Sequence, residues 1–367
     1  MEKQDGKRGR VTRREFLGTT AAAAALSTVP FHIRCASSNR SNFGGVQIGT
    51  ITYSFRGLSG LEETLQACID SGVGGIELMG SGVETYLGAP ELVRVPRQRQ
   101  APPAGMGAMP GGAAPGGAPP AGMPQGFPGM GQQQQTLSEE ELAELQKQAE
   151  ASQAALIEWR QTVGTPEKYA EVRKMFNDAG IDIHIYKWTA GNSEEELDYS
   201  FKVAKALGAV GITLETPNSV DDETFKLIGP VAEQNGMYAI LHNHMQYAQE
   251  GFTIDPYLEY SPAVMLNFDA GHYFGSTGLN PCDFVEKHHD RMISIHLKDK
   301  TGPDVDPPNQ NQVWGQGQVP LTELLLLVKN KYPKIYGDIE LEYPVPAWSN
   351  SVKEVKNCVN FCRQILI

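Results

Sequence analysis

The chain is poor in cysteine, has no long apolar stretch in its body, and carries a deficit of positive charge. Five cysteines in 367 residues, Cys35 among them in the N-terminal segment, do not make a disulfide framework. Cys358 and Cys362 lie four apart on an expected final helix (Ser351–Leu366) and read as buried thiols, since adjacent helical turns are poor geometry for a bridge. Beyond the first 40 residues no segment is apolar over the length that a membrane span needs. No glycine-rich loop of the phosphate-cradling kind stands out; Trp314-Gly315-Gln316-Gly317 is too short. The formal net charge is −12, and setting aside the +5 of residues 1–40 leaves about −17 for the rest. So acidic a body repels a phosphate backbone and argues against nucleic acid as a substrate.

What is present begins with Thr12-Arg13-Arg14-Glu15-Phe16-Leu17-Gly18, a twin-arginine pattern, followed by the short Ala-rich run Thr19–Pro30. Residues 1–40 are therefore expected to be an export signal and linker, cleaved between Ala25 and Ser38, with the mature protein in the periplasm. A lipoprotein anchor at Cys35 is the lesser reading, because Arg34 fits that signal poorly.

The body reads as strand and helix in alternation. Strands are expected at 46–51, 75–79, 181–186, 210–215, 238–242, 264–269, 292–296 and 338–342, with amphipathic helices between several of them closed by glycines such as Gly72, Gly180, Gly208 and Gly236. Eight such units predict an α/β fold, a (β/α)8 barrel over residues 44–367 with one large insertion after strand two. The insertion combines a Pro/Gly/Ala/Met/Gln-rich segment at 96–135, expected to be disordered, with a helix at 138–162 opened by Ser138-Glu139-Glu140-Glu141. Without signal and low-complexity segment about 290 residues remain, a size usual for this barrel.

In a closed parallel barrel the C-terminal ends of all strands meet at one mouth. Several of these strands end in residues that bind divalent metals: Glu215, His242-Asn243-His244, Asp269 and His272, His296 with Lys298, and Glu342. Each alone has a plain structural role. Asp269 can cap the next helix, a lone His296 is more often a satisfied core residue, and Glu215 can be a ligand, a general base or a helix cap. Four of the eight histidines (242, 244, 272 and 296) at strand ends on one face are not explained that way. One shared divalent ion, Mn, Zn, Co or Fe, suits this mixed nitrogen and oxygen set. Glu342 is expected to point into the mouth and Glu340 to face the other side.

These motifs resemble the sugar phosphate isomerase/epimerase superfamily, the xylose isomerase-like barrels that include ketose 3-epimerases and inosose dehydratase. The carriers are Gly75-Ile76-Glu77-Leu78, the Asp269/His272 pair, His296-Leu297-Lys298-Asp299 and Ile339-Glu340-Leu341-Glu342-Tyr343, within about Gln47 to Ile367 outside the insertion. The resemblance implies a metal held by Glu, Asp, His and Glu from strands five to eight. Asp269, His296 and Glu342 match by position, whereas strand five carries Leu-His-Asn-His where Leu-Glu-Asn-His is common. His242 thus replaces a ligand glutamate, and Glu215 on the neighbouring strand is the compensating carboxylate. The expected ligands are Glu215, His242, Asp269, His296 and Glu342.

The chemistry such a site supports is proton abstraction beside a carbonyl, through an enediolate that the metal stabilises. Glu215 and Glu342 are the expected acid/base pair. His272 and His244 bind hydroxyls or relay protons, Lys298 gives electrostatic help, and Lys187 and Trp188 line a sugar pocket. An exported enzyme of this kind is expected to isomerise or epimerise a non-phosphorylated sugar or keto-sugar. A lyase cleaving a 3-keto-glycoside by elimination is the alternative, and a metal-bearing sugar-binding protein without turnover is the non-enzyme alternative.

Overall fold

A computed structural model describes residues 40–58, 60–95, 138–188 and 193–367. The export signal, its cleavage region and the low-complexity segment 96–135 lie outside the described residues.

Eight parallel strands form the frame: β1 (Val46–Ile51), β2 (Gly75–Met79), β3 (Asp182–Lys187), β4 (Gly211–Glu215), β5 (Tyr238–His242), β6 (Val264–Asp269), β7 (Met292–Leu297) and β8 (Tyr336–Ile339). They pair in the order β1-β8-β7-β6-β5-β4-β3-β2, and the further pairing of β1 with β2 closes the ring. The expected (β/α)8 barrel is the fold of this chain. Seven strands lie within a residue of their expected bounds. The eighth stops at Ile339 rather than 342, because the Leu341 amide leaves the ladder to donate to Ser54 Oγ at 3.0 Å.

The outer layer consists of α1 (Leu61–Ser71), α2 (Gly80–Tyr86), α4 (Pro166–Asp178), α5 (Glu194–Leu207), α6 (Glu223–Asn235), α7 (Asp255–Tyr260), α8 (Ala270–Thr277), α9 (Pro281–His288), α10 (Leu321–Lys331) and α11 (Ser351–Leu366); α3 (Glu139–Thr162) falls in the insertion. Local chemistry sets their ends. Ser193, Asp222 and Asn350 accept backbone N–H groups at the starts of α5, α6 and α11, and Gly208 ends α5 in the left-handed region at φ 88°. The helices bury one apolar face against the strands, and each fully buried Ile, Leu or Phe in that layer is worth about 1.5–3 kcal/mol. That core supports a mouth full of charge.

Inside the ring, Ile185, Ile240, Met265 and Ile293 pack into a separate buried cluster. Register shifts in the β2–β3 and β6–β7 pairings turn extra side chains inward there. Asp338 on β8 also lies buried and is bound to His184 Nε2 at 2.8 Å from β3. The lack of a side chain at Gly49 makes that pair possible: a Cβ there would sit 2.4 Å from Asp338 Oδ1.

Residues Gly88–Val163 form a second compact unit. Its α3 opens with a reciprocal capping box between Ser138 and Glu141, and Ser152 Oγ accepts from the Val93 amide at 3.1 Å.

Candidate metal centre

Strand period places side chains of β5, β6 and β7 alternately inside the ring, so His242, Asp269 and His296 all point into the mouth. Each ends, or nearly ends, its strand, and all three are buried. The fourth member is Glu340. Together His242, Asp269, His296 and Glu340 offer ligand atoms within 4.8 Å of one another, as do Glu215, His242 and His244 in a second group that shares His242.

Two expectations are corrected here. Glu340 does not face away: residues two apart on an extended chain share a side, so Asp338, Glu340 and Glu342 all turn inward, with Glu340 deepest at the mouth and Glu342 further out. Nor does Trp188 line a sugar pocket. Its ring is buried, 5.9 Å from Tyr186 and 5.9 Å from Tyr199 on α5, which makes it part of the barrel–helix core. Lys187, one residue earlier, turns the other way and pairs with Glu215 Oε1 at 2.7 Å.

Lys298 is the hub. Its buried ammonium lies 2.8 Å from Asp269 Oδ2, 2.8 Å from Glu340 Oε2 and 2.9 Å from Glu342 Oε2. His296 is held on both sides, Nδ1 to Glu340 Oε2 at 2.7 Å and Nε2 to Glu77 Oε2 at 2.6 Å. Asn267 donates to Glu77 Oε2 at 2.9 Å and accepts from Ser294 Oγ at 2.7 Å, fixing the glutamate under the ring. Glu77, Asn267 and Glu340 were not assigned from sequence. Strand parity points to Glu340, whereas Glu77 shows only as a carboxylate inside an otherwise apolar strand.

The charges follow from these contacts. Burial alone would lower the pKa of His296, but Glu340 and Glu77 outweigh it and raise it well above the usual imidazole range. Burial also works against ionised Glu340, yet Lys298 and His296 hold its carboxyl well below the ordinary carboxylate range. Burial pushes Asp269 up. His242 is kept neutral by burial and by the positive charge of His296, and His272 falls to about 2 through burial and the nearby Lys298 and Lys300. In direct contact, the four carboxylates of Glu77, Asp269, Glu340 and Glu342 meet two cations, Lys298 and His296, while Lys187 and Lys300 act on them from further off. Among the contacting groups the carboxylates are in excess.

A divalent cation fits that excess, and three further features agree. Asp269 divides its work: Oδ1 accepts the His272 amide at 2.7 Å and caps α8, so the capping and ligand readings both apply to one residue. His242 Nδ1 is buried without a hydrogen bond, and the buried Asp269 Oδ2 has Lys298 Nζ, at 2.8 Å, as its partner. His242 Nε2 and His272 Nε2 stand 3.9 and 3.8 Å from Asp269 Oδ2. Such gaps exceed a hydrogen bond, and they approach the roughly 3.4 Å between two ligands bound at about 2.1 Å to one tetrahedral ion. The four-residue group could hold a metal; Glu215 falls in the second group, and Glu342 lies 3.7 Å from His272 Nε2 at the outer edge.

No protein-family model matches the chain, and no curated protein does. Solved structures do. A sugar phosphate isomerase/epimerase from Parabacteroides distasonis is 14% identical, over 90% of this chain and 98% of its own, with a TM-score of 0.50. A xylose isomerase domain protein from Planctomyces limnophilus is 14% identical over 88% of this chain and 97% of its own, TM-score 0.52. The IolI protein, solved with a bound zinc atom, is 12% identical over 88% of this chain and 99% of its own, TM-score 0.52. The closed eight-stranded barrel of this chain is the fold it shares with these proteins.

Proposed function

We propose that this protein is a divalent-metal-dependent isomerase or epimerase of a non-phosphorylated sugar or keto-sugar, exported to the periplasm by its twin-arginine signal. One observation carries the reading. The mouth holds two carboxylate–lysine–histidine trios: Glu215 with Lys187 at 2.7 Å and His244 at 3.6 Å, and Glu342 with Lys298 at 2.9 Å and His272 at 3.7 Å. Their glutamates arise from β4 and from the chain just past β8, four strands apart in a ring of eight, and their histidines His244 and His272 stand with rings 5.0 Å apart between them. They flank the arc of strands that bears His242, Asp269, His296 and Glu340.

A 1,2-proton shift or an epimerisation needs that arrangement. One group takes a proton from the carbon beside a carbonyl, and another returns it at a new place or on the other face. His242, Asp269, His296 and Glu340 would hold a divalent ion, which would supply Lewis-acid polarisation of that carbonyl. Glu342, positioned by Lys298, is the base nearer the ligand group. Glu215, positioned by Lys187, is the opposing acid. His272, held neutral by burial and the nearby Lys298 and Lys300, is placed to hydrogen-bond a substrate hydroxyl rather than to take up a proton. The mouth has no surplus positive charge to receive a phosphate, which favours an unphosphorylated substrate.

Solvent-deuterium incorporation at the carbon next to the carbonyl of keto-sugars tests this with the metal-reconstituted protein. Exchange should fall about 10²-fold in Glu342→Gln and in Glu215→Gln. Losses below about tenfold in both would remove the two-carboxylate mechanism. An elimination product from a 3-keto-glycoside without exchange into recovered substrate would move the same site to lyase chemistry. Binding of a sugar with neither outcome would make the protein a binder.

A further inference from the structure

The four-residue group is sealed, which raises the question of how an ion reaches it. Asp269, His296, His242 and Glu340 are buried, and Lys298 Nζ sits among the carboxylate oxygens. From below, the ring is filled by Ile185, Ile240, Met265 and Ile293. A hydrated divalent ion cannot cross an apolar plug, since shedding its water with nothing in exchange costs far more than folding can offset. Arrival is therefore from the mouth.

On the mouth side stand Glu215 and His244, each 52% exposed, with Glu215 Oε2 and His244 Nε2 3.6 Å apart. That separation is too long for a good hydrogen bond and near the spacing of two ligands on one ion. Lys187 ties up Glu215 Oε1 and leaves Oε2 turned to His244. These two residues and His242 form the second ligand group, and His242 is the member common to both groups. Its ring lies 5.0 Å from that of His244 and 4.6 Å from that of His296, between the exposed pair and the buried set.

Resting on the metal-centre reading above, we propose that Glu215 and His244 form an outer landing site for the divalent ion, and that His242 passes the ion from this pair to Asp269, His296 and Glu340. The landing site exchanges hydration water for protein ligands one at a time, so the ion is never bare on its way in. Glu215 and His244 hold it briefly because both are open to solvent and one oxygen of Glu215 already serves Lys187. The buried four hold it permanently.

Transit residues have a kinetic signature that resident ligands and bystanders lack. Lowering a barrier speeds both directions equally, so its loss slows loading and release by one factor and leaves the equilibrium constant alone. The test uses full-length mature protein stripped of metal, with Co²⁺ binding followed by its visible absorption in a stopped-flow instrument. Release is followed into an excess of bulky chelator, at concentrations where the rate no longer depends on it. Glu215→Gln/His244→Gln should lower both rates by the same factor, at least about tenfold, with unchanged Kd and one ion per chain. A weakened Kd with faster release would make the pair resident ligands and overturn the proposal. So would unchanged rates, or two ions per wild-type chain falling to one in the double variant. No binding at all by wild-type protein would instead sink the metal centre itself, a separate failure.

Discussion

Replacing Lys298 by Met removes a charge and keeps most of a side chain's volume, so it isolates what the ammonium does. In the metal-free protein that ammonium is shared by Asp269, Glu340 and Glu342, all within 2.9 Å. Removing one partner of a buried ion pair costs about 3–5 kcal/mol, because the other charge stays buried without compensation. Asp269 and Glu340 meet that condition fully. Glu342, with its side chain 19% exposed, can turn toward water and adds less. Lys298→Met should therefore destabilise the metal-free protein by about 3–5 kcal/mol. At roughly 2–4 °C per kcal/mol for a large domain, the melting midpoint in chelator drops by about 6–20 °C.

Metal binding should change in the opposite direction. The mouth becomes more negative by one charge, and two carboxylate oxygens lose a competing cation. Affinity for Zn²⁺ or Mn²⁺ should tighten at least about tenfold, about 1.4 kcal/mol, which is modest beside the repulsion of a neighbouring ammonium at effective protein dielectric. The decisive readout is the midpoint with and without metal for wild type and variant. The shift produced by metal should be larger in Lys298→Met, since binding to the folded state stabilises by RT ln(1 + [L]/Kd). A metal-free midpoint within roughly 2 °C of wild type, or a smaller metal-induced shift, would refute the placing of Lys298 as the cation that balances an empty carboxylate cage.

Two further outcomes follow from single residues. Asp269→Asn should abolish metal binding yet keep the cap on α8, because Asn accepts the His272 amide as Asp does; Asp269→Ala loses both, so it should be less stable than the Asn variant by about 1 kcal/mol in chelator denaturation curves. Away from the site, His288 has its pKa lowered by burial and by Lys287. A depressed histidine adds stability that is present above its unfolded value near 6.5 and lost as pH falls through the folded value. His288→Gln should flatten the acid side of the stability–pH curve by less than about 1.4 kcal/mol per pH unit, and an unchanged slope below pH 6.5 would contradict the assignment.

Much of the mouth could be read from strand ends alone, and what escaped did so for identifiable reasons. His242, Asp269 and His296 end strands whose bounds are plain from their apolar runs, and alternation aims them inward. Glu340 and Glu342 share parity with Asp338, so alternation also aims both of them inward, and setting Glu340 outward was a misreading of a period of two. Lys298 is different. It lies beyond Leu297, where β7 has ended, so alternation no longer says where its chain goes. Its position is known only once three carboxylates from two other segments are in place.

Glu77 and Asp338 mark a deeper limit. Each is a lone carboxylate within its strand, and nothing near it in sequence supplies a partner. Each is buried because its partner comes from a strand remote in the chain: His296 lies 219 residues from Glu77, and His184 lies 154 from Asp338. Those contacts exist only after β1 meets β2 and the ring closes, and in Asp338's case only because position 49 has no side chain. Residue type and strand parity show which groups reach the barrel interior. Pairing across it depends on closure and register shifts, which alternation does not encode. Glu77 decides the point, because it holds the ring that the metal centre needs while sitting on a strand whose own end bears no ligand. The support beneath the ligands has to be sought in three dimensions even where the ligands can be read from one.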